Sequence, residues 1–399
     1  MNQSKNFQLA QDEFSFSQQL RRDFHKNPEL GFQEFRTSEI VANQLTEFGF
    51  SVKRNVGKTG VVGIVEGDAS GPTLLLRFDM DALPIQEANK TDYVSQNEGV
   101  MHACGHDAHT AIGLTIAKII SRNREKLQGT LKFLFQPAEE GLGGALAVIN
   151  DGILQNPKPD YCLGLHIWND KEVGWVGVNS GAMMAGADTF VLKIIGKGGH
   201  GGLPNLAVDP IVATANIISG VQTIVSRNIS PLEQAVVSFC SINGGSTFNV
   251  IPDLVQLTGT IRTFDHLVRE NVIDRLKTIS SNIAKGMGCE VEFELNEITP
   301  AVINSPEIAS ILGEVTHEEN FVSDFDGHFQ TMGSEDFSLY LNEIPGCFFF
   351  VGSANYHKGL SFSHHHPKFD FDEAVLPVGV SLMLDMIEKI DSKLKKSLY

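Results

Sequence analysis

Four short runs constrain this chain more than anything else in it: TLLLRF, TLKFLF, YCLGL and CFFFVG. Each is almost continuously apolar and too short for a helix of ordinary length. Such runs are expected of strands covered on both faces, as in a parallel sheet sandwiched by helices. Helical patterns separate them, over about 36–48, 107–125 and 375–395, after a first amphipathic stretch at 12–25 carrying Phe14, Phe16, Leu20 and Phe24 near one face. Alternating strands and helices predict an α/β layered domain with a mostly parallel central sheet.

The pattern changes near residue 186. From DTFVLKIIGKGGH onward the order reads strand, Gly-rich turn, a long helix at about 207–227, two strands (AVVSFCSING and LVQLTGTIRTF), another helix, and the strand CEVEFELNEI. This β-α-β-β-α-β order predicts a small α+β domain with one open sheet. The α/β character returns after TPAVINSP. The expected organisation is a discontinuous first domain, 1–186 and 299–399, with a second domain inserted at 187–298.

Polar groups follow the apolar runs. Asp79 and Asp81 follow the first, Glu139 and Glu140 the second, His166 ends the third, and SHHHP with His364, His365 and His366 follows the fourth. The segment MHACGHDAHT adds Cys104 and His106. In open parallel sheets, ligands collect beyond the carboxyl ends of the strands. Five distant segments therefore converge thiol, imidazole and carboxylate groups on one edge. Mixed N, O and S donors suit zinc best, with manganese or cobalt as further options. Cys104, His106, Glu140, His166 and one of the three adjacent histidines make five ligands, too many for one tetrahedral ion and suited to a pair of ions sharing a bridge. Of the adjacent Glu139 and Glu140, one can bind metal while the other faces a metal-activated water and takes its proton. Asp81 suits an orienting role toward a ligand histidine. His25, His102 and His109 are expected to be structural or supporting.

Composition narrows the partners. With 31 Lys and Arg against 48 Asp and Glu, the net charge is −17, which disfavours nucleic acid and anionic membrane surfaces. No run approaches the ~20 apolar residues that span a bilayer. The first thirty residues lack the apolar core of a signal peptide. Five widely spaced cysteines suit a reducing cytoplasm better than a disulfide framework.

The stretches HKNPELGFQE, LRFDMDALPI, MHACGHDAHT, FQPAEEG, GLHIW, GKGGHGGLPNLAVDP, GGSTFNVIPD, GTIRTF, GSEDF and SHHHPKFDFDE run in order over nearly the whole chain. Together they resemble the metal-dependent aminoacylase and carboxypeptidase group, and more closely the amidohydrolase branch holding hippurate hydrolases and plant auxin–amino-acid conjugate hydrolases. The resemblance implies a dinuclear catalytic domain and an inserted lid that also makes dimer or higher-order contacts. It implies Cys104 as the bridging ligand, His106 and His166 at one metal, and Glu140 and His365 at the other. It further implies Glu139 as general base, His200 as a donor to the oxyanion, and Asn249 and Arg262 as holders of the substrate carboxylate. The expected reaction is hydrolysis of the amide bond of an N-acyl amino acid, with two ions per chain, zinc or manganese, cobalt or nickel also being tolerated. The alternatives are a dipeptidase or carboxypeptidase on the same scaffold and a metal-binding protein without turnover. The resemblance leaves Glu335 and Asp336 of GSEDF without a role.

Overall fold

A computed structural model describes residues 4–67 and 69–394 of the chain. It divides into two compact units, one of Met1–Met183, Ile303–Gln330 and Asp336–Tyr399, the other of Met184–Val302 and Thr331–Glu335. The strands, in chain order, are β1 (Ser51–Val56), β2 (Gly60–Glu66), β3 (Ala69–Asp79), β4 (Gln128–Gln136), β5 (Tyr161–Glu172) and β6 (Trp175–Gly177) in the first unit. The second unit supplies β7 (Gly186–Ile195), β8 (Ala235–Gly244), β9 (Leu254–Thr263) and β10 (Glu290–Thr299). The first unit resumes with β11 (Asp324–Asp326) and β12 (Gly346–Ala354).

The first unit is built on one eight-stranded sheet, ordered β1-β2-β4-β3-β5-β12-β6-β11. The four apolar runs form its centre as mutually parallel strands, β4, β3, β5 and β12. Every residue of β12 is buried, and Phe78, Phe133, Phe135, Phe348, Phe349 and Phe350 are almost wholly inaccessible. Each such side chain contributes roughly 1.5–3 kcal/mol. The sheet is mixed toward its margins: β1–β2, β2–β4 and β12–β6 pair antiparallel. The helices His106–Ser121 and Val375–Leu394 pack on the sheet. The predicted end of the last helix, residue 395, lies outside the described residues.

Two charges inside the central strands are fully accounted for. Lys132 of β4 donates to the carbonyls of Ile153, Gln155 and Pro157 at 2.5, 2.7 and 3.2 Å, and burial lowers its ammonium to about 8. Arg77 of β3 belongs to a polar network behind the site.

The helix expected at 12–25 is Phe14–Lys26, with a further helix, Lys5–Asp12, before it; its buried face differs from expectation, carrying Ser17, Arg21 and His25 beside Phe24 while Phe14, Phe16 and Leu20 are half-buried. The cause is polar: a guanidinium and an imidazole on that face have buried carboxylates to meet.

The second unit holds one four-stranded antiparallel sheet, ordered β8-β9-β7-β10. The helices Pro210–Val221 and His266–Gly286 accompany it, with a core that includes Phe190, Leu192, Ile217, Val221, Leu257 and Leu276. The helix expected at 207–227 is shorter. Asp209 accepts the Ile211 amide at 2.8 Å and Pro210 takes the first helical position, which fixes the start. A single π-type turn, Ile224–Asn228, follows its end. Among the described residues no helix is long and apolar enough to cross a membrane.

Candidate metal centre

The centre is assembled at the carboxyl side of the parallel strands. Met80 to Ala82 follow β3, Pro137 to Glu140 follow β4, and His166 lies within β5. Cys104 and His106 flank Gly105, whose φ of +95° suits only glycine without strain. A Cβ on Gly105 would lie 2.5 Å from Ile167 Cδ1 and 2.6 Å from Cγ1. This close approach brings the Cys104 loop against β5. Cys104 Sγ is 3.4 Å from His166 Nε2.

Two triads share that sulfur. The ligand atoms of Cys104, His106 and His166 lie within 4.8 Å of one another, and so do those of Cys104, Glu140 and His365. His106, Glu139 and Glu140 form a third such group. One thiol common to two clusters is the geometry a dinuclear site requires of a bridging ligand.

The hydrogen bonds fix which imidazole nitrogens face the cluster. His106 Nδ1 donates to the Asp81 carbonyl at 2.9 Å, with Asp81 Oδ1 3.2 Å away. His166 Nδ1 donates to the Ile167 carbonyl at 2.6 Å. Both rings therefore turn Nε2 toward Cys104 and Glu140, an orientation commonly imposed on metal-binding histidines by outer partners. His106 Nε2 and Glu140 Oε1 are buried without a hydrogen-bond partner. Unpaired buried donors and acceptors are rare and costly, and a cation in each of the two triads would satisfy them. The residues present thus fit a pair of divalent ions.

The electrostatics agree. Burial, followed by Glu140, Glu139 and Asp79, pushes the Cys104 thiol well up. Burial opposes a charge on His106, but Asp79 and Asp81 override it and raise the imidazole to about 10. Burial, then His109 and His364, keep His166 well below the usual histidine range, so it is neutral. Extra positive charge would favour the thiolate of Cys104, and a neutral ring already waits beside it.

Among the three adjacent histidines, His365 alone meets the cluster, with Nε2 3.3 Å from Glu140 Oε1. His364 accepts the Asn169 amide at 3.1 Å and stacks on Trp168, while His366 stacks on Phe362. Their backbone explains the divergence: His365 has φ +65° and donates its amide to the Ala103 carbonyl at 2.8 Å.

His109 has the supporting place expected of it, and Arg77 and Asp107, which sequence reasoning did not single out, join it. His109 donates Nδ1 to Asp79 at 2.6 Å and accepts the Ile167 amide at 3.0 Å on Nε2, so both nitrogens are engaged. Arg77 donates to Asp79 at 2.5 Å, to Gln136 at 2.9 Å and to Asp336 at 2.8 Å. Asp336 also accepts from Gln136 and from the Ala145 amide, each at 2.9 Å, which places this member of GSEDF as a buried anchor. Asp107, next to His106, accepts from Arg21 at 2.9 Å and His25 at 2.7 Å. A charge embedded in a buried run, as Arg77 is, was the available signal, since it must have partners.

In the second unit, His200 is exposed and lies opposite Val250 in a two-residue strand pair. The Gly201 amide donates to the Asn249 carbonyl at 2.8 Å, so His200 and Asn249 share one turn region. Arg262 lies on β9 between Val236 and Ala187, with its guanidinium on Thr260 and the Ile261 carbonyl.

Comparison with known proteins adds three findings. The model of peptidase family M20/M25/M40 matches residues 75–389. The N-acetylcysteine deacetylase of Bacillus subtilis is 40% identical over 368 residues, covering 90% of this chain and 92% of that one, and the hippurate hydrolase of Campylobacter jejuni is 39% identical over 342 residues, covering 85% and 88%. The crystal structure of the Bacillus subtilis YXEP protein, a dinuclear metal binding peptidase of the M20 family, superimposes with a TM-score of 0.83 at 34% identity, covering 96% of this chain and 99% of that one.

Proposed function

This chain belongs to peptidase family M20/M25/M40, a metal-dependent hydrolase family acting on amide bonds, and from that premise we propose that it hydrolyses N-acyl amino acids such as N-acetyl or N-benzoyl derivatives. The observation that carries the reading is the single thiol, Cys104, shared by two ligand triads with Glu139 beside them. Cys104, His106 and His166 would hold one ion, and Cys104, Glu140 and His365 the other. Bound there, the ions polarise the scissile carbonyl and lower the pKa of water toward ~7.

The chain's own groups do the rest. Glu139, half-buried at the rim of the cluster, takes the proton of the attacking water and delivers it to the leaving amine. Asp81 holds His106 through Nδ1 and Glu140 through its amide, the latter at 3.0 Å. In the second unit we assign His200 to the oxyanion as a hydrogen-bond donor, and Asn249 and Arg262 to the free carboxylate, where a guanidinium fork fits two oxygens. Relatives acting on N-acetylcysteine and hippurate support the substrate class. We place the enzyme in the cytoplasm as a homodimer or higher homo-oligomer; its five cysteines are free thiols, and sedimentation of the purified protein tests the assembly.

The test is amine release from N-acetyl and N-benzoyl amino acids and from dipeptides, using chelated protein restored with zinc, manganese, cobalt or nickel. Metal-dependent release from the N-acyl substrates is expected, with Glu139→Gln lowering kcat at least ~100-fold. Release from dipeptides alone refutes the substrate assignment, and near-normal turnover by Glu139→Gln refutes the base.

A further inference from the structure

The turn that carries Glu139 and Glu140 is held in an unusual backbone conformation. Ala138 has φ +54°, a region that L-residues other than Asn and Asp seldom occupy. Such outliers persist only where the surroundings over-determine them. Here the surroundings can be named. The Ala138 amide donates to Glu34 Oε1 at 2.9 Å, and the Ala138 carbonyl accepts from the Gly144 amide at 3.0 Å. The Glu140 amide donates to Asp81 Oδ2 at 3.0 Å. Gly144 is required for its part, because a Cβ there would sit 1.7 Å from the Pro137 carbonyl oxygen.

Glu34 comes from HKNPELGFQE, the N-terminal motif that the chemistry above leaves unused. Its side chain is buried, and its second oxygen accepts the Thr59 hydroxyl at 2.5 Å. The same segment closes on the turn at Gly31, where a Cβ would meet Ala138 at 3.0 Å and Leu142 at 2.7 Å. The carboxylate therefore has two fixed partners, and one of them is the amide of Ala138, the residue immediately before Glu139.

We propose that Glu34 is a positioning residue for the reaction: by gripping the Ala138 amide it holds that residue in its left-handed conformation and so aims Glu139 and Glu140 at the cluster. The inference rests on the roles assigned to those two glutamates. Without the grip, the Ala138 N–H is buried and unpaired, and the peptide relaxes to an ordinary φ, which turns the next two side chains away. Glutamine at position 34 keeps both contacts, its carbonyl oxygen accepting the Ala138 amide and its NH2 group meeting the Thr59 hydroxyl. Glycine at position 138 takes a positive φ at no steric cost, so it substitutes in part for the grip.

Four variants test this in the metal-loaded, full-length protein: Glu34→Ala, Glu34→Gln, Glu34→Ala with Ala138→Gly, and Glu139→Gln, each assayed for kcat, KM and metal affinity. Glu34→Ala is expected to lower kcat by about 10- to 100-fold, as loss of an outer support does, with KM little changed. Glu34→Gln stays within a few-fold of the parent, and adding Ala138→Gly to Glu34→Ala recovers about fivefold or more. A purely structural role for Glu34 predicts no recovery by glycine, since glycine adds no contact. Unchanged kcat in Glu34→Ala beside an inactive Glu139→Gln overturns the proposal alone, as does a loss that glycine leaves untouched. If instead Glu139→Gln is fully active, the base assignment has failed, and metal affinity through Glu140 decides: unchanged affinity in Glu34→Ala overturns the positioning role as well. Should Glu34→Ala not fold, Glu34→Asp shortens the reach by one methylene while keeping the charge, and an unaltered kcat in that variant overturns the proposal.

Discussion

Gly105 offers the sharpest quantitative test of how the centre is built. In Gly105→Ala the new Cβ meets two penalties that are separable by experiment. The backbone at φ +95° and ψ 12° costs an L-residue ~1–2 kcal/mol. The second penalty is the overlap with Ile167, whose Cδ1 and Cγ1 lie 2.5 and 2.6 Å from the Cβ position. Ile167 is itself fully buried, so it moves only by displacing neighbours, and overpacking of this kind costs ~1–3 kcal/mol. The expected total is ~2–5 kcal/mol, read as a lower midpoint in urea unfolding at constant slope. Ile167→Ala removes both clashing atoms and costs ~2–5 kcal/mol by itself as a cavity. Combined, the two substitutions should fall short of additivity by ~1–3 kcal/mol, because the overlap is gone while the backbone penalty remains. Strict additivity, or a loss below about 1 kcal/mol for Gly105→Ala alone, would refute the claim that this contact presses the Cys104 loop onto β5.

Three further outcomes are expected. Asp107→Ala removes the carboxylate that the fully buried Arg21 and His25 share; Arg21 keeps Asp370 and Glu373 and His25 keeps Glu87, so the expected loss is that of charge-assisted hydrogen bonds, ~1.5–3 kcal/mol, and a change below ~1 kcal/mol in urea unfolding would mean these bonds are dispensable. Metal loading at neutral pH should release about two protons per chain, from the raised Cys104 thiol and from His106 at about 10, because ligands bind deprotonated; calorimetry in buffers of different ionisation heat reads this directly, and buffer-independent heats would contradict it. Burial, with Glu319 and Glu388 nearby and Asn6 and Ser381 opposing, raises Asp385 to about 7. The folded state therefore holds this proton more tightly than the unfolded chain does. The stability this confers is complete below about pH 4 and is lost as pH rises through about 7, a change of ~2–4 kcal/mol. Asp385→Asn should flatten the stability profile over that range, and an unaltered slope between pH 4 and 7 would exclude Asp385 as its source.

The ligand-bearing strand ends were legible because chemistry and pattern coincide there: an apolar run stops and an acid, thiol or imidazole follows. The structure brings ligand atoms of Cys104, His106 and His166 into one close group and those of Cys104, Glu140 and His365 into another. Strand direction was not legible, since a run such as GVVGIVEG reads the same whichever way it pairs, and β2 is antiparallel to its neighbours. The burial of Arg21 and His25 was hidden because their partners, Glu87, Asp107, Asp370 and Glu373, lie far away in sequence. The helix start at Pro210 was available, in Asp209 followed by proline, but the apolar residues around it suggested a longer element. Among three consecutive histidines spacing cannot select the one that turns inward; resemblance pointed to His365, and the left-handed φ shows how its neighbours come to face elsewhere.

The position of β12 in the sheet has a consequence for synthesis. It lies between β5 and β6, so until it exists one edge of β5 has no partner and nothing joins β6 and its neighbour β11 to the rest of the sheet. From Glu172, the last residue of β5, to Ala354, the last of β12, is 354 − 172 = 182 residues. At ~5–20 residues per second the ribosome takes on the order of 10–40 seconds to make them. All four strands of the second unit's antiparallel sheet fall inside that interval, and the sheet can close from them alone. The nascent first unit meanwhile carries an open, apolar strand edge, the kind of surface that recruits other chains, and His365 emerges later still. The centre is thus among the last features of the chain to form, and the waiting edge of β5 is the place where a chaperone is most needed.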